Sequence, residues 1–312
     1  MQEPTPQTLS SPVIRYLAAT RPGFLSAAII PVIIALAAVS EQGPVHGWSA
    51  LLTLLGAVVA HAGINVLNDV YDDRAGCDAI NADRIFPYTG GSRIIQNGVL
   101  SNRHMAHYGW LLMATTVVIG LFLVQRAGPG LLLIGLFGLL LGWAYSAPPL
   151  RLSERGLGEL SVGLGFGLVI PLGTAYAQLG RVDALTLWAG LPFAFLIVAV
   201  LYINQFPDLC ADTTSGKRNW VVRLGVDGAR GVYPLLVAAA YLNLLLGVAL
   251  GPITSYALIG LAALPLHLRA SRLLWVEADN PRALRPAIML TLIGTLLHGA
   301  LIAIGIAAGG VL

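Results

Sequence analysis

Apolar residues fall along this chain in nine long blocks, with none of the short alternations of a soluble β-rich or amphipathic fold. The blocks cover residues 23–40, 48–67, 108–124, 130–147, 157–177, 184–203, 231–250, 253–268 and 286–308. Each is close to the roughly 17–25 residues an α-helix needs to cross a bilayer. Apart from histidine, only one ionisable acid or base interrupts them, Glu159 near the start of the fifth block. The pattern predicts an all-α polytopic membrane protein. Nine transmembrane helices are expected, arranged as two four-helix halves plus one extra helix, in a single integral-membrane domain over residues 1–312.

Composition agrees with this reading. Of the 312 residues 56% are hydrophobic and only 11% charged, where soluble domains carry about 25% charged residues. Residues 1–22 hold Glu3, Arg15 and Arg21 around a short apolar piece. They lack the basic leader and small-residue site of a cleaved signal peptide, so an interfacial segment is expected there and the first block stays in the mature protein.

Lysine and arginine set the orientation, because short cytoplasmic loops retain them. With the N-terminus inside, only Arg126 and Arg181 of the 18 basic residues face outward. A multi-pass protein of the cell inner membrane is therefore expected, with its N-terminus and its active face on the cytoplasmic side. The net charge of +3 describes that face. It is not the clustered basic domain a nucleic-acid partner demands, so no nucleic acid is expected. Cys77 and Cys210 lie on the same reducing side without a CxxC or His-rich tract and read as bystanders.

The long inner connections, residues 69–107 and 208–230, draw attention because long loops in compact proteins usually carry function. Each begins in an acidic cluster that closes an apolar block. Asn65, Asn68, Asp69 and Asp72 are offset by 0, 3, 4 and 7 positions, with Asp73 and Asp78 following; Asn204, Asp208 and Asp212 are offset by 0, 4 and 8. On a helix each set forms one stripe. Carboxylates at hydrocarbon-buried helix ends are costly and point to function. A single cluster is equally well explained as a helix end meeting water. Two clusters of matching spacing on one face favour a shared site of carboxylate and amide oxygens. Mg²⁺ prefers that donor set and is commonly completed by substrate phosphates.

Cations for a diphosphate stand nearby: Lys217 and Arg218 after the second cluster, Arg93 after Gly90 and Gly91, and Arg151 after the Tyr145–Pro149 stretch. Arginine forks suit phosphate oxygens, and lysine acts as a point charge. Arg103, Arg269, Arg272, Arg282 and Arg285 read as topology determinants. His61, Asn243 and His298 read first as helix-to-helix hydrogen-bond partners, and the many glycines of the fifth block as packing positions. A cation-coupled transporter also uses intramembrane acids, but at the bilayer midplane in broken helices; here they lie at helix ends beside basic residues.

These residues resemble the UbiA superfamily of intramembrane aromatic prenyltransferases over nearly the whole chain, with its nine helices and its two Asp-rich motifs after helices two and six. Within it the chain is similar to the 1,4-dihydroxy-2-naphthoate polyprenyltransferase branch. Asp78 stands six residues after Asp72, Asn204 to Asp212 is followed by Gly216, Lys217 and Arg218, and Gly156, Gly158 and Glu159 follow the Tyr145–Pro149 stretch. Asn219, where threonine is usual, and the Asp72–Asp73 pair depart from the pattern. The resemblance implies polyprenyl diphosphate and an aromatic acceptor as substrates. Mg²⁺ would be held by Asn65, Asn68, Asp69, Asp72, Asp78, Asn204, Asp208 and Asp212, and the diphosphate met by Lys217, Arg218, Arg93 and Arg151. Asp69, Asp72, Asp208 and Asp212 would be catalytic. Acceptors such as 4-hydroxybenzoate, homogentisate, a chlorophyllide or protohaem remain open within the same reading.

Overall fold

The computed structural model describes residues 2–310, and every element among them is helical. A short α1 (Pro12–Ala19) precedes α2 (Pro22–Ser40), α3 (Gly47–Ala75), the single turn α4 (Cys77–Ile80), α5 (Asn102–Ala127) and α6 (Gly130–Ser146). The fifth block becomes α7 (Gly158–Leu164), a π-helical turn (Gly165–Val169) and α8 (Ile170–Leu179). Then come α9 (Ala184–Thr214), α10 (Trp220–Ala229), α11 (Val232–Ala249), a 3₁₀ stretch (Ser255–Ala263) leading into α12 (Leu264–Glu277), and α13 (Arg285–Gly309). Eight helices among the described residues are long and apolar enough to cross a membrane; α6 has 17 residues and falls short of that length.

Local chemistry marks the boundaries. Ser101 accepts from the His104 amide at the start of α5, and Asp183 accepts from the Thr186 amide at 2.9 Å at the start of α9; such caps satisfy orphan N–H groups of the first turn. Gly76 ends α3 in the left-handed region, as Gly180 ends α8.

The acidic clusters lie within helices. At about 1.5 Å per residue the 29-residue α3 and 31-residue α9 span about 44 and 46 Å, against a hydrocarbon core of roughly 30 Å. Their last turns must emerge from it, and those turns hold Asp69, Asp72, Asp208 and Asp212. The second inner connection is itself partly helical, since α10 occupies most of it.

Neighbouring helices pack in sequence order, and α13 returns to α2 to close the circuit. α13 is not peripheral, because it lies along α2, α9 and α12. α9 is the central pillar: 61% of its most apolar window is buried inside the protein, against 17% for α5. Glycines permit that approach. A Cβ on Gly167 would run into Ala194 of α9, and one on Gly190 into the Gly167 carbonyl. For these two, packing is the reason for the residue.

Candidate functional site

The ends of α3 and α9 converge on one side of the molecule, around a cavity of about 270 Å³. Asn65, Asn68 and Asp72 reach it from α3, Asp78 from α4, and Asn204, Asp208 and Asp212 from α9. The clusters that 139 positions separate in sequence meet through one side chain. Lys217 places its ammonium 3.0 Å from Asp72 and 3.5 Å from Asp212. Among the described residues it is the only cation within 4 Å of carboxylates from both stripes. Burial by itself lowers a lysine pKa, but Asp72 and Asp212 overcome it and hold Lys217 well above the usual range. The ammonium is therefore permanently charged.

Amides hold the other carboxylate oxygens in place. Asn68 donates to Asp72 at 3.1 Å and to Ser146 Oγ at 3.0 Å, tying the Tyr145–Pro149 stretch to α3. Asn81 donates to Asp208 at 2.6 Å and Asn219 to Asp212 at 2.7 Å. Donors that favour the charged form lower a carboxylate's proton affinity. None of these amides reaches the Asp78 carboxylate, which is pushed up to about 8 by burial first and then by Asp72 and Asp69.

Asp69 is set behind the cavity wall. One of its oxygens accepts from the Ser92 amide at 3.1 Å; the other is buried without a partner, as is one oxygen of Asp78. Gly91 lies against both, and a Cβ there would fall 2.7 Å from Asp78 Oδ2 and 3.0 Å from Asp69 Oδ1. With φ near +73°, only glycine brings the backbone so close.

Five carboxylates gather here with one lysine, which pairs with Asp72 and Asp212, and two of the others, Asp69 and Asp78, each keep an oxygen without a partner. Buried charge is tolerated when paired or when it coordinates metal. The unpartnered oxygens of Asp69, Asp78 and Asn204 and the all-oxygen donor set fit a hard divalent cation completed by phosphate. Cys77 stands with Asp72 and Asp78, their donor atoms within 4.8 Å of one another. Burial, followed by Asp72, pushes its thiol far up. It stays protonated and is a poor ligand, since the thiolate is the ligating form.

The four expected diphosphate cations separate. Lys217 lines the cavity. Arg93 is buried behind it, donating to the Asp78 carbonyl and lying 3.9 Å from Glu3. Arg218 is exposed, and Arg151 is exposed and pairs with Glu154 at 3.4 Å; neither lines the cavity. Arg21 is not among the cations expected from the sequence to meet the diphosphate. It lines the cavity, makes no ion pair among the described residues, and sits over Phe24 at 5.0 Å. No local signal distinguishes it, because what matters is the turn between α1 and α2. Glu159 is fully buried and accepts from the Gln205 side chain and the Trp220 amide, both at 2.9 Å. It thereby fastens the segment carrying Lys217 and Asn219 to α7 and α9.

A second, apolar chamber of about 310 Å³ lies beside the cavity, among α3, α5, α6 and α8, and shares part of its wall.

Comparison with known proteins agrees with this architecture. Residues 28–293 match the model of the UbiA prenyltransferase family. A 1,4-dihydroxy-2-naphthoate octaprenyltransferase of Mycobacterium leprae is 33% identical over 83% of this chain and 84% of its own length. The enzyme so named in Escherichia coli is 30% identical over 93% and 94%. Among solved structures, a UbiA homolog from Archaeoglobus fulgidus bound to DMAPP and Mg²⁺ superposes with a TM-score of 0.65 at 18% identity, covering 93% of this chain and 99% of that one. By matched family model, by relatives of like length and by fold, the chain belongs to the UbiA prenyltransferase family.

Proposed function

We propose that the protein transfers a polyprenyl group from its diphosphate to 1,4-dihydroxy-2-naphthoate, in menaquinone biosynthesis, with Mg²⁺ as cofactor. One observation carries the reading: two remote helix ends each bring a carboxylate to a single ammonium in a cavity that shares a wall with an apolar chamber. A diphosphate head on a hydrocarbon tail matches both halves of that space. The naphthoate acceptor is supported by the relatives from M. leprae and E. coli.

Asp69, Asp72, Asp78, Asp208 and Asp212, with Asn65, Asn68 and Asn204, are the residues that would hold the metal. Bound there, Mg²⁺ supplies positive charge that offsets the diphosphate as it departs. Lys217 and Arg21 supply fixed cationic donors for the same oxygens, preorganised where negative charge develops. Arg93 keeps the Gly90–Gly91 turn against Asp78, and Arg151 and Arg218 stay outside the reaction. The allylic C–O bond breaks with its electron pair passing to the diphosphate. Aromatic faces on the cavity wall, Tyr145, Phe24 and Phe166, suit the allylic cation left behind. The electron-rich ring carbon then forms the new C–C bond, and its carboxyl group leaves as CO₂, returning the bonding pair to the ring.

In this reading α6, about 26 Å long, is a ninth span, and the excess of inner basic residues places the site on the cytoplasmic face of the inner membrane. The test is mass spectrometry of products from purified protein given geranylgeranyl diphosphate, Mg²⁺ and, in parallel, 1,4-dihydroxy-2-naphthoate and 4-hydroxybenzoate. A decarboxylated prenyl naphthalenediol is expected. Turnover of the benzoate alone refutes the acceptor, and turnover in excess chelator refutes the metal.

A further inference from the structure

The polar cavity and the apolar chamber share five wall residues: His61, Ile64, Gly138, Gly165 and Phe166. Any ligand occupying both spaces passes this junction. Two of the five are rings in contact, with the His61 imidazole edge-on to Phe166 at 4.9 Å and 79°. The two glycines supply bare backbone beside them. A Cβ on Gly138 would meet Val169 at 2.8 Å, so that position is sterically required to stay small. A Cβ on Gly165 meets only Leu141, at 3.9 Å, so the space beside it is the passage and not a packed neighbour.

Phe166 packs on the core around Ala27 and Ile197, but packing accounts poorly for the imidazole beside it. Phe166 stands on the π-helical turn, whose extra residue re-aims side chains and recurs at functional sites. His61 makes no hydrogen bond among the described residues, and its Nδ1 is buried without a partner. A buried unsatisfied donor or acceptor costs stability, and such a group in a native fold calls for a reason beyond packing. The other two deeply buried histidines are tied: His267 to Tyr241 and Thr295, His298 to the Gly260 carbonyl. His61, one helical turn before Asn65, is the one of the three with no hydrogen bond among the described residues.

We propose that the His61–Phe166 pair is the gate that determines donor specificity, admitting the isoprenoid chain beyond the reacting head into the apolar chamber and setting the preference for long over short prenyl diphosphates. This rests on the prenyl-transfer reading above. The gate separates the compartment of the head from that of the tail; Gly138 lets the wall pack closely on Val169, and Gly165 leaves space unfilled at the junction.

The experiment compares kcat/KM for geranylgeranyl and dimethylallyl diphosphates, with Mg²⁺ and 1,4-dihydroxy-2-naphthoate, in the detergent-purified full chain. Narrowing the passage with Gly165→Leu or Phe166→Trp lowers the long-to-short ratio by about 10-fold or more, the scale on which an apolar pocket discriminates by size. Phe166→Ala raises it. His61→Phe, which keeps the ring contact without the nitrogens, holds the wild-type ratio, whereas His61→Ala shifts it. Equal losses with both donors in the narrowing variants overturn the gate, as does a ratio unchanged within about twofold. Wild-type protein that uses neither donor overturns the prenyl-transfer reading itself, and the gate with it.

Discussion

The protein buries two polar clusters, and they solve the same problem in opposite ways. Between α11, α12 and α13, Tyr233 meets Thr291 at 2.7 Å, Tyr241 meets His267 at 3.0 Å, and Thr295 bonds His267 and the Leu196 carbonyl. These groups are neutral partners for one another, and the network fastens helices together. Between α3 and α9, five carboxylates gather with one ammonium, which pairs with Asp72 and Asp212 and leaves oxygens of Asp69 and Asp78 unpaired. A cluster that closes on itself holds a fold. One that stays open, where unpaired polar atoms are expensive, is kept for something that binds.

That contrast can be broken or sharpened experimentally. The largest effect is expected from Asp72→Ala or Asp208→Ala: prenyl transfer falls by at least ~10³-fold, the scale of losing a preorganised electrostatic group, while the thermal midpoint in detergent stays level or rises because like charges have been removed. A lowered midpoint would make the acids structural and dissolve the comparison. Lys217→Ala comes next, with transfer down about 100-fold and the unfolding temperature down as well, since both stripes lose their shared counter-ion; Lys217→Arg recovers part of both.

Arg21 tests the assignment of cations. Arg21→Ala raises KM for the diphosphate about 10-fold, as expected for a lost charge-assisted contact of roughly 1.5 kcal/mol. Arg151→Ala and Arg218→Ala stay near wild type in the same steady-state assay. If Arg151→Ala proves the more damaging, the cavity-facing cations have been misidentified. The smallest effect on catalysis belongs to the closed cluster. Thr295→Val leaves kcat/KM unchanged but destabilises the protein by about 1 kcal/mol, read as a lower midpoint in thermal unfolding.

Much of the architecture is legible from the chain alone, for reasons that are local. Apolar length selects membrane helices, and the 0, 3, 4 and 7 spacing of Asn65, Asn68, Asp69 and Asp72 places four oxygens on one stripe whatever that helix packs against. The same spacing could not tell that Asp69 would turn behind the wall toward Ser92 while Asp72 faces Lys217. The arginines show the limit most plainly. Arg218 stands just after Asp212 in sequence and does not line the cavity, whereas Arg21, far from either cluster along the chain, does.

Residue type and period thus determined helices, the charged face and the two acidic stripes, because hydrophobicity and helical repeat act within a few turns. Tertiary structure alone decided which cations face the acids, how buried Glu159 fastens the Lys217 segment, and where the polar cavity and the apolar chamber share a wall. Each of those depends on the direction a side chain takes once helices distant in sequence have packed, and direction is not written in any local window of residues.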